Sequence, residues 1–275
     1  MTSHSKIRTP ASNALDLALA KRDRATLDMV RAAIQHRQIL LAFQPVVQTR
    51  RPDHIAFHEA LIRVMDETGR IIPAKDFIDA IEETETGRIL DCIALEKGLA
   101  ELARQPGLRL SINMSARSIG YKKWTRVLHR ALDSDPTIGE RLILEITESS
   151  AMLVPELVST FMSELQRKGI SFALDDFGAG YTALRHFKQF TFDVLKIDGQ
   201  FIEGIAGDAD NQVMVRAMVS IAQQFDMFTV AERVERAEDA ECLAQLGADC
   251  LQGFYFGAPT VKPYWRSGED EKQFA

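Results

Sequence analysis

The chain has 275 residues, 46% of them hydrophobic and 26% charged, and a formal net charge of −6. That is enough chain to bury a sizeable core, and the acidic balance argues against a general nucleic-acid binder. No apolar run reaches the roughly 18 residues of a membrane span, the N-terminus lacks the apolar stretch of a secretory signal, and the three cysteines, Cys92, Cys242 and Cys250, are far apart with no C-x-x-C pair. Neither a disulfide framework nor a zinc site is suggested, and a reducing cytoplasm is the expected location.

Residues 1–26 begin polar and become mildly helical, and are read as an N-terminal extension, partly helical or flexible. A single domain is expected over 27–265, followed by a charged tail at 266–275. Within the domain, short apolar runs alternate with amphipathic stretches. Strands are predicted at "ILLAFQP" (39–45), "HIAFHEALIR" (54–63), "LRLSINMS" (108–115) and "RLILEITES" (141–149). Four more are predicted at "ISFALDD" (170–176), "FDVLKID" (192–198), "FTVAERVE" (228–235) and "DCLQGFYF" (249–256). Apolar residues at three-to-four spacing predict helices in "PELVSTFMSELQRKG", with Gly169 as the stop, in "NQVMVRAMVSIAQQF" and in "AEDAECLAQLG".

Eight strands with mostly helical crossovers fit a (β/α)8 barrel. The link between the first two strands is too short for a crossover helix, so that pair is expected to be antiparallel. The fold class is therefore α/β, a modified TIM barrel with one antiparallel strand.

Functional groups of such barrels gather at the C-terminal strand ends. Here those ends carry oxygen ligands: Glu59, Asn113, Glu145 and Glu148, Asp175 and Asp176, Asp198 beside Lys196, Glu232 and Glu235, and Gln252. One such residue means little, because strand ends are often polar; seven strands carrying them is harder to dismiss. Two adjacent carboxylates, Asp175 and Asp176, closing an apolar strand need positive charge nearby. All-oxygen ligands without His or Cys point to a hard cation such as Mg²⁺ or Mn²⁺. So many carboxylates suggest two ions, the arrangement that serves in-line phosphoryl displacement. Lys196 would then sit by the attacking water or the phosphate.

Two other readings fail on context. "DFG" without "HRD" or a Gly-rich loop does not make a kinase. "GAGYTA" fits a dinucleotide fingerprint by spacing, with Asp198 twenty residues beyond Gly178, yet two carboxylates directly before the turn would repel a pyrophosphate. The six histidines receive no role, and the Phe/Tyr cluster at 254–256 reads as core or interface packing.

Taken together, "FQPVV" (43–47), "EALIR" (59–63), "SINMS" (111–115), "LEITES" (144–149), "LDDFGAGYTAL" (174–184), "LKIDGQFI" (195–202), "VAERVE" (230–235) and "LQGFYFGAP" (251–259) resemble the EAL phosphodiesterases of bacterial cyclic di-GMP signalling, in that family's order, over about 27–262. The resemblance implies a modified TIM barrel that hydrolyses cyclic di-GMP to linear pGpG with Mg²⁺ or Mn²⁺. It implies metal ligands at Glu59, Asn113, Glu145, Asp175 and Asp176, with Glu232 close by as the proposed general base. Lys196 would orient the water, and Asp198, Glu235 and Gln252 would complete the pocket. Gln44, Leu61 and Arg63 match positions that hold the ligand, Arg63 on a phosphate. Glu148 matches the residue that steadies the loop after Asp176, and that loop with its helix implies a homodimer. An unidentified regulatory protein is a further expected partner.

The sequence departs from the family pattern at Val64 (usually Trp), at Ala179, Thr182 and Ala183 in the loop, and at Arg233, where the family carries Gly. Strand alternation would turn Arg233 away from the face of Glu232; a backbone twist there would let its charge pair with Glu235 and compete with a metal. The alternative functions are a domain that binds cyclic di-GMP without cleaving it, a protein-binding scaffold, and, more remotely, another metal-dependent barrel enzyme.

Overall fold

The computed structural model describes residues 14–180 and 190–267. In chain order these form α1 (Ala14–Gln35), β1 (Ile39–Gln48), β2 (Arg51–Met65), β3 (Ile71–Pro73), α2 (Ile78–Ile81), α3 (Glu85–Arg104), β4 (Leu110–Asn113), α4 (Lys122–Ser134) and β5 (Leu142–Thr147). There follow α5 (Glu148–Leu153), α6 (Pro155–Gln166), β6 (Ser171–Phe177), β7 (Val194–Ile197), α7 (Ala209–Gln224), β8 (Phe228–Ala231), α8 (Ala237–Leu246), β9 (Cys250–Gln252) and α9 (Tyr264–Ser267).

The strands hydrogen-bond in the order β1-β9-β8-β7-β6-β5-β4-β2, and β1 pairs with β2 to close the barrel. β1 runs antiparallel to both of its neighbours, β2 and β9. The other neighbouring pairs around the ring are parallel. Only two residues separate β1 from β2, which a hairpin can bridge and a crossover cannot. The expected modified barrel is therefore the observed one. The sequence reading missed β3, a three-residue strand antiparallel to the end of β2 and outside the ring.

The helices follow their sequence signals. Pro155 stands at the first turn of α6, where its missing N–H costs nothing, and Gly169 follows the helix with φ +85°. Asp208 caps α7 by accepting from the N–H groups of Asp210 and Asn211. α1 runs without interruption past residue 26 and buries Val30 and Ala33 against Val64, Ile72, Phe77 and Ile81. Position 64 thus faces this outer cluster, away from the barrel interior. At the other end, Trp265 Nε1 donates to Glu101 Oε2 at 3.0 Å and Arg266 pairs with the same carboxylate, tying α9 to α3.

Five predicted strands are shorter than expected, among them β4 and β7, each trimmed at both ends. β8 stops at Ala231 because Arg233 takes a left-handed conformation, φ +54°, which ends regular pairing. β9 stops at Gln252, since the chain turns at Gly253 against Val234, where a Cβ would meet the Val234 backbone. β5 stops at Thr147, whose hydroxyl accepts from Ser150 N–H and starts α5.

The barrel interior explains where the polar residues come to lie. Val46, Phe57, Ala173, Val194 and Val230 form an apolar plug contributed by β1, β2, β6, β7 and β8. Side chains two residues apart on a strand share a face. One step up from the plug are Gln44, Glu59, Asp175, Lys196 and Glu232. The same step from Ser111, Ile143 and Cys250 reaches Asn113, Glu145 and Gln252. The strand period alone thus stacks a polar ring on an apolar floor, as layered barrels do.

Candidate active site

Lys196 stands at the centre of that ring with a side chain only 1% exposed. Its Nζ lies 2.7 Å from Glu232 Oε1, 2.8 Å from Glu145 Oε2, 3.0 Å from Asp175 Oδ1 and 3.4 Å from Glu59 Oε2. Neutral amides complete the ring. Asn113 Nδ2 donates to Glu59 Oε1 at 2.8 Å, and Gln252 Nε2 donates to Glu59 Oε2 at 2.6 Å and to Gln44 Oε1 at 3.2 Å. Gln44 Nε2 in turn donates to the Gly257 carbonyl at 3.0 Å. Both oxygens of Glu59 are thereby fixed in direction.

The electrostatics follow from burial. Burial works against a charged Lys196, but Asp175, Glu145, Glu232 and Glu59 together outweigh it and hold the ammonium well above its usual range. Burial, and then repulsion from Glu59, push Glu145 well above the carboxylate range. Burial likewise raises Glu232 to about 8, with Lys196 opposing and Asp175 and Glu59 adding to the rise. Glu59 resists the same burial because Lys196, Gln252 and Asn113 stabilise its anion, and its pKa is lowered. One ammonium is too little positive charge for so many acids.

Asp175 and Asp176 answer the question raised by their adjacency. In a regular strand they would face opposite sides. Asp176 instead has φ +56°, and the β6–β7 register shifts between Leu174 and Phe177. Asp176 shares the left-handed region with few non-glycine residues, though Asp tolerates it better than most. The bulge lets both carboxylates meet Glu232: ligand atoms of Asp175, Asp176 and Glu232 all lie within 4.8 Å of one another. Burial and Asp175 push Asp176 up to about 6.

The donor set fits a hard cation by observation of its acceptors. Glu145 Oε1 and Asp175 Oδ1 are buried and accept no hydrogen bond; the latter lies near Lys196 but outside hydrogen-bonding geometry. Unsatisfied buried carboxylate oxygens are costly without a partner, and these ring members are all-oxygen donors of the kind Mg²⁺ and Mn²⁺ prefer.

The remaining predicted residues divide. Asp198 is buried and accepts from Gln200 N–H at 2.8 Å, which starts the turn after β7. Glu148 belongs to α5, not to the strand, yet stays buried, and its Oε2 accepts from Gly178 N–H at 3.4 Å, beside the Asp176 turn. Leu61 and Arg63 lie above Glu59 on β2. Burial lowers the Arg63 pKa, opposed by the attraction of Glu59, and its Nη1 donates to Ile62 O at 2.9 Å. Glu235 is not brought into the ring: it is exposed on the loop beyond Arg233, with no ion pair to the ring among the described residues. Phe256 packs on the core, while Phe254 and Tyr255 are exposed. Thr182 and Ala183 lie outside the described residues. At Arg233 the backbone leaves the strand before alternation can apply, so the twisted alternative is the one observed, without an ion pair to Glu235 among the described residues.

The comparisons with known proteins agree with this geometry. The profile described as "EAL domain" matches residues 27–259. The chain is 29% identical over 239 residues to "Cyclic di-GMP phosphodiesterase PdeF" of Escherichia coli (strain K12), covering 86% of this chain and 32% of that protein. It is 32% identical over 239 residues to "Bifunctional diguanylate cyclase/cyclic di-GMP phosphodiesterase MucR" of Pseudomonas aeruginosa, covering 84% of this chain and 34% of that one. The chain thus spans about a third of the length of these curated relatives. The solved structure "PaMucR Phosphodiesterase, c-di-GMP complex" superposes with a TM-score of 0.75 at 30% identity, covering 86% of this chain and 97% of the other. The barrel, its reversed strand and the matched span make this chain a member of the EAL domain family.

Proposed function

We propose that this chain is a metal-dependent phosphodiesterase that hydrolyses cyclic di-GMP to linear 5′-pGpG. The observation that carries the reading is the ring itself: four carboxylates within 3.4 Å of one buried ammonium, with the second oxygen of Glu145 buried and accepting no hydrogen bond. The names of the relatives and of the bound structure support the same substrate.

In this reading Glu59, Asn113, Glu145, Asp175 and Asp176 hold one or two divalent ions, Mg²⁺ or Mn²⁺, within the domain at 27–265. Bound divalent ions supply Lewis-acid stabilisation of phosphoryl charge and make water more acidic. Glu232 takes the proton of the attacking water as general base. Lys196 orients that water and keeps the carboxylates together. Water oxygen bonds to phosphorus, the bond from phosphorus to the ribose 3′ oxygen breaks, and the proton goes to the leaving oxygen. Gln44, Leu61, Arg63 and Gln252 hold the substrate, Arg63 through a phosphate, and Glu148 steadies the Asp176 turn. Asp198 supports the pocket from below the turn, and Glu235 serves only if the loop moves it inward on binding. A homodimer and a cytoplasmic location complete the proposal; none of the described helices is long and apolar enough to cross a membrane.

Glu59→Ala, Asp175→Asn and Lys196→Ala test the assignment. Each is expected to abolish hydrolysis while the circular-dichroism spectrum stays native. Wild-type turnover in a folded Asp175→Asn protein would sink it.

A further inference from the structure

A cavity opens at the end of the barrel away from the carboxylate ring. β2 pairs with β4 only from His58 upward, so residues 55–57 of β2 face a gap where the next strand would lie. That gap is a cavity of about 560 Å³, walled by Phe57, His58, Gly107, Arg109, Tyr264 and Trp265 among others. Gly107 and Arg109 precede β4, which begins at Leu110, so the cavity sits at the N-terminal end of the strands. Nothing fills it among the described residues. Its walls are held in place. Trp265 is anchored through Nε1 on Glu101, and its carbonyl accepts from Gln105 Nε2 at 3.2 Å. The indole meets the His58 ring edge-on, with centroids 4.8 Å apart, and the Tyr264 ring edge-on at 5.1 Å. The main-chain N–H of His58 donates to the Arg109 carbonyl at 3.0 Å, tying β2 to the segment before β4.

Two polar groups in these walls lack partners. His58 is only 6% exposed, yet its ring makes no hydrogen bond among the described residues. An imidazole carries a donor or acceptor on each nitrogen, and buried groups of this kind are nearly always paired. Arg109 is exposed, and its guanidinium has neither an ion pair nor a hydrogen bond among the described residues. Perpendicular aromatic rings, an unpaired imidazole and a free cation together match a flat ring that carries an acid. We propose that this cavity binds a planar aromatic anion of mononucleotide size, its ring against Trp265 and hydrogen-bonded by His58, its anion on Arg109. Barrel chemistry belongs to the opposite, C-terminal face. Such a ligand is therefore not a substrate of the ring, and its binding does not depend on the phosphodiesterase reading above.

Fluorescence titration with 5′-AMP, in chelator, tests it. The chain has two tryptophans. Trp124 is 1% exposed in the core and Trp265 lines the cavity, so Trp124→Phe leaves the cavity indole as the sole reporter. Saturable quenching by 5′-AMP is expected. Adenosine, which lacks the anion, should bind several-fold more weakly, and ribose 5-phosphate, which lacks the ring, should leave the indole unquenched. Arg109→Gln should weaken 5′-AMP about 2–5-fold at low salt, the order of an exposed ion pair, and less at high salt. His58→Phe keeps a ring and removes its hydrogen bonds, and should weaken binding about 2–10-fold. At Gly107 a Cβ meets nothing within 4 Å, so Gly107→Phe should crowd the cavity without straining the fold and abolish saturation. Asp175→Asn should leave the titration unchanged, because the ring lies at the other end. Calorimetry on the wild-type chain repeats the titration should Trp124→Phe not fold. No saturation by about 5 mM, where the free energy of binding is too small for a specific site, would overturn the proposal. So would affinities unchanged in both Arg109→Gln and His58→Phe, or binding lost in Asp175→Asn, which would put the nucleotide in the ring.

Discussion

Replacing Lys196 with Met would remove the ring's central cation and leave its shape nearly intact. At an effective dielectric of about 20, each pair at 2.7–3.4 Å is worth roughly 5 kcal/mol of attraction. Desolvation of the ions offsets much of this, and burial holds Glu145 well above its usual range and Glu232 at about 8, so not every pair is charged at pH 7. Removing one partner from a buried ion cluster costs about 3–5 kcal/mol because the remaining charges are left uncompensated. At roughly 2–4 °C per kcal/mol, Lys196→Met in chelator should melt about 6–20 °C below wild type. Two controls separate this cause from lost packing. The deficit should shrink from pH 7.5 to pH 5.5, since protonated carboxylates no longer need the ammonium. Millimolar Mn²⁺ should restore at least half of it, since the ion supplies the missing charge. Differential scanning calorimetry reads all three. A melting temperature equal to wild type in chelator, or a deficit indifferent to both pH and Mn²⁺, would refute the electrostatic account of the ring.

Other consequences follow from the same contacts. Gly253→Ala sets a Cβ against the backbone of Val234, which cannot swing aside, and should cost about 1–3 kcal/mol in urea denaturation; a neutral result would show that the turn after β9 yields. Gln252→Leu removes the donor to Glu59 Oε2 and should raise the Mn²⁺ dissociation constant several-fold with little change in melting temperature. Asp91 accepts from the Ser118 hydroxyl at 2.5 Å and from Ser115 N–H at 3.1 Å, and burial raises its pKa to about 6. Its folded pKa exceeds the unfolded value of about 3.9, so its contribution is full below pH 4 and is lost as pH rises through 6. Asp91→Asn should therefore gain on wild type by about 1–3 kcal/mol between pH 4 and pH 7, and stability curves that stay parallel over that interval would contradict the assignment.

Much of this fold is legible in the sequence. The alternation of apolar runs with amphipathic stretches pointed to the barrel, and the short link after the first strand pointed to an antiparallel first pair; that β1 is the reversed member comes from its antiparallel pairing with β9 as well. The ring was legible because polar residues recur at the C-terminal ends of seven predicted strands, where barrels gather their functional groups. Two departures from regular strand at the rim share one physical cause. Asp176 and Arg233 adopt left-handed backbones that neither residue type announces, and each breaks the two-residue period at the rim. At Asp176 the break brings two neighbouring carboxylates to one site. At Arg233 it ends β8 early and carries Glu235 out of the ring. Glu148 moved from strand to helix for a different reason: Thr147 caps α5, a local signal that strand periodicity hides. β3 is too short to show a period at all.

The most direct measurement is a time course of cyclic di-GMP incubated with the purified protein and Mn²⁺ or Mg²⁺, separated by chromatography, with a chelator control and a parallel binding titration. Linear pGpG that accumulates only with metal is the predicted result. Cyclic di-GMP bound by a folded protein and recovered uncleaved, with metal present, would contradict the account and make the barrel a receptor.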